Sequence, residues 1–138
     1  KPAPLSFKDR LFGIETFTCY KGEVKDKIEL LSKYKYCLAI ENSEAPGYIT
    51  EKLIDCFQAG CVPVYLGAPD VAKYINPDCY IDIRKFQTYD ELSDYLVNIN
   101  KKQYTKYLRA IDTLRKTKDY VDKWFEKGFK KVFIEAIN

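Results

Sequence analysis

The residues best equipped for chemistry in this 138-residue chain fall in one stretch, Glu41-Asn-Ser-Glu-Ala-Pro-Gly-Tyr-Ile-Thr-Glu-Lys52 (ENSEAPGYITEK). Lys52 stands where a helix is predicted to begin, and a cation there opposes the positive end of the helix dipole. Either solvent screens it or an anion sits beside it. An ammonium joined by free first-turn N–H groups suits a phosphate or diphosphate, because a point charge and several donors replace the water that a doubly charged group gives up. Glu51, a carboxylate in the same turn, cannot favour phosphate and is better suited to accept hydrogen bonds from sugar hydroxyls. Asn42 lies just past the end of a predicted strand, facing the same crevice. Polar neighbours of opposite sign suit a nucleotide sugar. The plainer reading is a solvated helix start at Glu51-Lys52 and an ordinary turn or cap at Asn42-Ser43. On these residues alone the chain is an α/β ligand-binding domain.

The flanking segments must position that loop. Tyr36-Cys-Leu-Ala-Ile40 is a short apolar run of the buried-strand kind, and Pro46-Gly47 marks the loop at 41–49. Thr50 is a good N-cap, Leu53, Ile54 and Phe57 make one apolar face, and Gly60 falls where a C-cap glycine belongs. Val62-Pro-Val-Tyr-Leu66 then reads as a second buried strand. Strand, loop, helix and strand make a βαβ unit, which implies parallel pairing. In such sheets ligands bind beyond the carboxyl ends of the strands, where this loop lies. The other expected elements are an edge strand in Leu11–Tyr20, a helix over Asp26–Tyr36, a helical turn near Val71–Tyr74, a third strand over Cys79–Ile83, a helix over Asp90–Ile99 and helices from 101 onward. No repeat or long linker divides the chain.

Composition narrows the chemistry. With 46% hydrophobic and 15% aromatic residues the chain is of the folded, globular kind, and one domain suffices for its length. There is no histidine, which removes His metal ligands, Ser-His and Cys-His pairs and the commonest general base. No D-x-D pair suggests a divalent metal. The five cysteines, Cys19, Cys37, Cys56, Cys61 and Cys79, form no C-x-x-C pair and read as buried thiols in a reducing compartment. The net charge of +3 is too mild to point to nucleic acid. The first residue is lysine, so the chain is expected to be part of a longer protein.

As a whole, Tyr20–Phe86 resembles the donor-binding, carboxyl-terminal half of the family 10 glycosyltransferases, the α-1,3/α-1,4-fucosyltransferases. The resemblance rests on YKGEVKDK, LLSKYKYCLAIENS, GYITEKLIDCFQAGCVPVYLGAPDVAKYI and NPDCYIDIRKFQTYDEL. Cys79-Tyr80 stands where the family usually has Ser-Phe. The resemblance implies a Rossmann-like parallel sheet with flanking helices, the C-terminal half of a GT-B enzyme, with residues 1–100 as the GDP-fucose-binding domain and 101–138 as helices packed on it. It implies GDP-fucose as donor, inverting transfer to a GlcNAc-containing glycan, and no metal or other cofactor. By motif position Asn42 and Lys52 would serve the diphosphate, Tyr48 and Glu51 the ribose or fucose, and Val24 and Lys25 would lie near the nucleotide. The general base and a phosphate-binding arginine would lie in the missing N-terminal part, which also takes the acceptor, leaving this chain alone with little activity.

From 101 to 131 eleven Lys/Arg face four acids. A basic amphipathic helix of this kind can lie on an anionic membrane, although a solvated face backed by an apolar stripe is the plainer reading. The composition leans towards a bacterial cytoplasmic protein, with possible membrane association, against a Golgi lumenal one. A non-catalytic nucleotide-sugar-binding or interaction module is the alternative to a transferase half.

Overall fold

The computed structural model describes residues 22–120. The edge strand expected in Leu11–Tyr20 and the helices expected beyond 120 lie outside the described residues. Within them, three parallel strands, β1 (Tyr36–Ile40), β2 (Val62–Leu66) and β3 (Ile81–Asp82), are laid down in the order β1-β2-β3. Around them stand α1 (Lys27–Leu31), α2 (Glu51–Ala59), α3 (Tyr89–Asn98) and α4 (Lys101–Arg115).

Helix α2 forms for the reasons its sequence suggests. The Thr50 hydroxyl accepts from the Lys52 amide at 3.4 Å, and Gly60 ends the helix at φ 74°, a left-handed conformation that costs glycine little. Its Leu53, Ile54, Cys56 and Phe57 are buried, each large apolar side chain contributing about 1.5–3 kcal/mol. They pack with Ala39, Val62, Val64 and Tyr65 of the sheet and with Ile111 of α4 in one continuous core. The β1–β2 register runs from Tyr36 opposite Val62 to Ile40 opposite Leu66, so both strands end level beside the 41–49 loop.

Three expectations change in detail. The helix at 26–36 is shorter: Asp26 caps it by accepting from the Glu29 amide at 2.8 Å, and the chain turns away after Leu31, leaving Tyr34 exposed. The third strand shrinks to two residues because local caps compete with the ladder. Asn76 accepts from the Asp78 amide, nucleating a 3-10 turn at Pro77–Cys79, and Asp82 accepts from the Arg84 amide, starting another at Ile83–Lys85. Strand β1, expected to be buried on both sides, is one of the two outer strands of the sheet among the described residues. Tyr36 packs edge-on against Tyr104 of α4 at 5.7 Å between ring centroids, but Leu38 is 64% and Ile40 46% exposed.

The polar helix starts follow the same capping logic. Thr88 and Asn100 accept from the amides of Glu91 and Gln103 to open α3 and α4, and Glu91 reaches back to the Gln87 amide.

Candidate functional site

The loop 41–49 joins the end of β1 to the start of α2. The Glu41 amide donates to the Leu66 carbonyl at 2.8 Å, so the β1–β2 ladder runs one residue past the strands before the chain departs. The Glu41 side chain points inward and is fully buried, the one charged residue in the core among the described residues. One carboxylate oxygen accepts from the Thr50 amide at 2.9 Å and the other from the Thr50 hydroxyl at 2.7 Å. A buried carboxylate costs several kcal/mol unless its lone pairs are met, and here both oxygens are.

Lys52 sits above this pair. Its Nζ donates to Asn42 Oδ1 at 2.6 Å and lies 3.9 Å from Glu41 Oε2, while its side chain remains 28% exposed. The anion that a lysine at a helix start calls for is therefore supplied first by the protein itself. An ammonium has three donors, and Asn42 takes one. With its oxygen engaged by Lys52, the Asn42 amide nitrogen keeps two hydrogens for another acceptor. Of the first-turn N–H groups, that of Lys52 is taken by the Thr50 hydroxyl, and the Thr50 amide just ahead of the helix is taken by Glu41.

The structure brings Asn42 and Lys52 together and places Glu51 beside them in the exposed first turn of α2. Tyr48 stands on the same loop, 38% exposed, with its amide donating to the Ala45 carbonyl. Loop position is fixed from the far side by Asp70, which accepts from the Gly47 amide at 2.7 Å. Val24 and Lys25 are exposed on the segment leading into α1 and are not joined to the Asn42–Lys52 pair. Their neighbour Lys27 pairs with Asp55 of α2 at 2.7 Å. Burial works against the Lys27 charge, but the hydrogen bond and the fields of Asp55 and Glu51 outweigh it and raise its pKa. At the end of β3, Arg84 makes a two-pronged bond to Asp82 at 2.9 and 3.0 Å, and Glu44 of the loop adds to the field that favours its charge.

The C-terminal model of glycosyltransferase family 10 (fucosyltransferase) matches residues 10–132. The chain belongs to this family. The alpha-(1,3)-fucosyltransferase FucT of Helicobacter pylori is 40% identical over 102 residues, which cover 69% of this chain and 21% of that protein. The 4-galactosyl-N-acetylglucosaminide 3-alpha-L-fucosyltransferase of Homo sapiens is 41% identical over 93 residues, 64% of this chain and 26% of that one. Crystal structures of an alpha1,3-fucosyltransferase with GDP-fucose and with GDP superpose with a TM-score of 0.58 at 37% identity, covering 69% of this chain and 28% of theirs. The chain thus spans about a quarter of the length of these family 10 relatives. Their shared architecture bears out the Rossmann-like, GT-B reading of the parallel sheet.

What the motif reading passes over in this family 10 chain is Glu41. Taken as the first letter of a polar box, it looks like part of the exposed loop; only its place opposite Gly67, one step past the Ile40–Leu66 pair, turns it inward. The available signal was a small residue facing it across two apolar strands. Replacing Glu41 by Gln keeps the shape but puts an NH2 where an oxygen accepts from Thr50, leaving one buried donor without a partner. We expect Glu41→Gln to lower the unfolding free energy by about 2 kcal/mol, read from urea denaturation. An unchanged urea midpoint would refute the role assigned to this carboxylate.

Proposed function

We propose that this chain is the donor-binding part of a fucosyltransferase that takes GDP-fucose and transfers fucose, with inversion, to a hydroxyl of an N-acetylglucosamine-containing glycan. The observation that carries the reading is the 2.6 Å Lys52–Asn42 pair at the C-terminal ends of parallel strands, where open α/β sheets take ligands. The Lys52 ammonium and the Asn42 amide hydrogens would face the diphosphate. As the bond from the sugar's anomeric carbon to the diphosphate oxygen breaks, negative charge grows on the departing GDP. A cation already fixed by Asn42 and Glu41 stabilises that charge without reorganising at the moment of reaction. In this scheme Lys52 supplies the positive charge, and no metal is called for.

Tyr48 and Glu51 take the ribose or fucose hydroxyls, and Val24 and Lys25 border the nucleotide. The acceptor's proton goes to a carboxylate on another part of the whole protein, which also binds the glycan. Residues 1–100 make up the donor unit and 101–138 pack on it. The exposed row Lys102, Lys106 and Arg109 along α4 supports peripheral contact with an anionic membrane, and the free cysteines support a reducing, cytoplasmic location. No helix among the described residues is long and apolar enough to cross a membrane.

Calorimetric titration with GDP, GDP-fucose, GDP-mannose and UDP-glucose tests the donor assignment. The guanine nucleotides should bind and UDP-glucose should not. If no guanine nucleotide binds at millimolar concentration while an unrelated ligand does, the assignment is wrong.

A further inference from the structure

Under α2, towards the N-terminal ends of β1 and β2 and away from the donor loop, three thiols meet. Cys37 on β1 and Cys61 just ahead of β2 lie on the same face of the sheet, because Cys37 is opposite Pro63 and side chains alternate along each strand. Cys56 comes down on the same face from α2, close enough for both to act on its thiol, and the Cys61 amide donates to its carbonyl at 3.1 Å. The Cys56 Sγ is also 3.2 Å from the Lys52 carbonyl oxygen. All three are free thiols; Cys56 and Cys61 are buried, whereas Cys37 is only half-buried.

We infer that Cys37 and Cys56 form a peroxide-sensitive pair, in which Cys37 is the thiol that reacts and Cys56 the thiol that resolves it into a disulfide. Exposure decides the order, since of the three only Cys37 is open to a solute. Electrostatics favour the thiolate at Cys37 and, through the same hydrogen bond with Cys56, at Cys61 too, so exposure is what separates them. The hydrogen bond from Cys56 favours the Cys37 thiolate most; burial opposes it, Lys27 on α1 supports it and Asp55 on α2 opposes it, and the balance lowers the Cys37 pKa to about 7. Hydrogen bonding with its two neighbouring thiols, Cys37 and Cys61, and burial push Cys56 strongly upward, so it holds its proton.

The chemistry balances with a hydroperoxide as oxidant. The Cys37 thiolate attacks the terminal oxygen, the O–O bond breaks, and the departing alkoxide or hydroxide takes a proton from water, leaving Cys37 as a sulfenic acid. The Cys56 sulfur then attacks the Cys37 sulfur, the S–O bond breaks, and the hydroxyl leaves as water with the Cys56 proton. Two thiols lose two electrons and the peroxide gains them. A disulfide here would engage the Cys56 sulfur that now lies against the Lys52 carbonyl, one turn along α2 from the donor loop.

The test uses the full chain, reduced and then exposed to hydrogen peroxide, with peptide mapping by mass spectrometry under non-reducing conditions. A Cys37–Cys56 cross-link reversed by dithiothreitol is expected. Cys37→Ser should abolish it, and Cys56→Ala should leave Cys37 as a sulfenic acid trapped by dimedone. Iodoacetamide alkylation of Cys37 should reach half its limiting rate near pH 7, against about 8.5 for an ordinary cysteine. A Cys56–Cys61 cross-link, Cys37 left reduced by peroxide, or an alkylation midpoint at the ordinary value would each overturn the inference. If Cys56→Ala fails to fold by circular dichroism, the wild-type map and Cys37→Ser still decide. None of these readouts depends on the donor assignment.

Discussion

Gly67→Ala should lower the melting temperature by roughly 10 °C, more than any other single methyl addition considered in this fold. Gly67 follows β2 directly and faces Glu41 across the ladder. A Cβ placed on it would stand 2.4 Å from Glu41 Cγ, 2.4 Å from the Tyr65 hydroxyl oxygen and 2.7 Å from Tyr65 Cζ. Real Cβ atoms do not approach other atoms so closely, and neither neighbour is free to retreat. Tyr65 is buried, its hydroxyl accepts from the Ala68 amide at 3.1 Å, and its ring packs edge-on to Tyr80. Glu41 is held by two bonds to Thr50. Overpacking of this kind costs about 1–3 kcal/mol, and prising a buried carboxylate from its partners adds to it, so a loss of about 3 kcal/mol is expected. Gly60→Ala makes the control: nothing lies within 4 Å of its Cβ, and the cost is the left-handed backbone alone, about 1 kcal/mol. Thermal melts followed by circular dichroism distinguish the two. If both variants melt together, the close approach of Glu41 to Gly67 is not what the fold depends on.

Lys52→Ala should weaken GDP binding by about tenfold to a hundredfold, the usual worth of a charge-assisted hydrogen bond to a phosphate. The same substitution should barely move the melting temperature, because Glu41 keeps both hydrogen bonds to Thr50 when its more distant cation, at 3.9 Å, is removed. That separation of binding from stability distinguishes a ligand-facing cation from one that merely neutralises the core. Lys52→Arg should restore only part of the affinity, since a planar fork cannot repeat the single 2.6 Å contact to Asn42. Titration calorimetry and a thermal melt on the same samples are sufficient. A large fall in melting temperature with affinity unchanged would reverse the assignment.

Much of this is legible in the sequence. Thr50 and Gly60 bracket α2 because a hydroxyl and a left-handed glycine solve local problems, and local problems leave local marks in sequence. Strands β1 and β2 were equally plain as apolar runs. The third strand is shorter than its apolar run suggests because Asn76 and Asp82 divert the backbone into turns, a competition that alternating hydrophobicity does not register. Asn42 and Lys52, ten residues apart, were matched by motif and are found in contact. Glu41, Gly67 and the thiol group were not anticipated, and for one reason. Each depends on which residues face one another across β1, β2 and α2, and that is settled by register and crossing angle rather than by composition.

The hold that Glu41 has on Thr50 has a consequence for how this segment can vary. One carboxylate closes both ends of the intervening stretch, so residues 42–49 form a ring fastened at a single buried clasp, with Asp70 as a second stay at Gly47. A ring of that kind tolerates exchanges of side chain on its outer rim, at Ser43, Glu44 and Pro46, which are all exposed. It does not tolerate a change in the number of links, because one residue more or fewer would slide Lys52 out from above Asn42. Drift in spelling with constancy in length is the pattern such a clasp imposes.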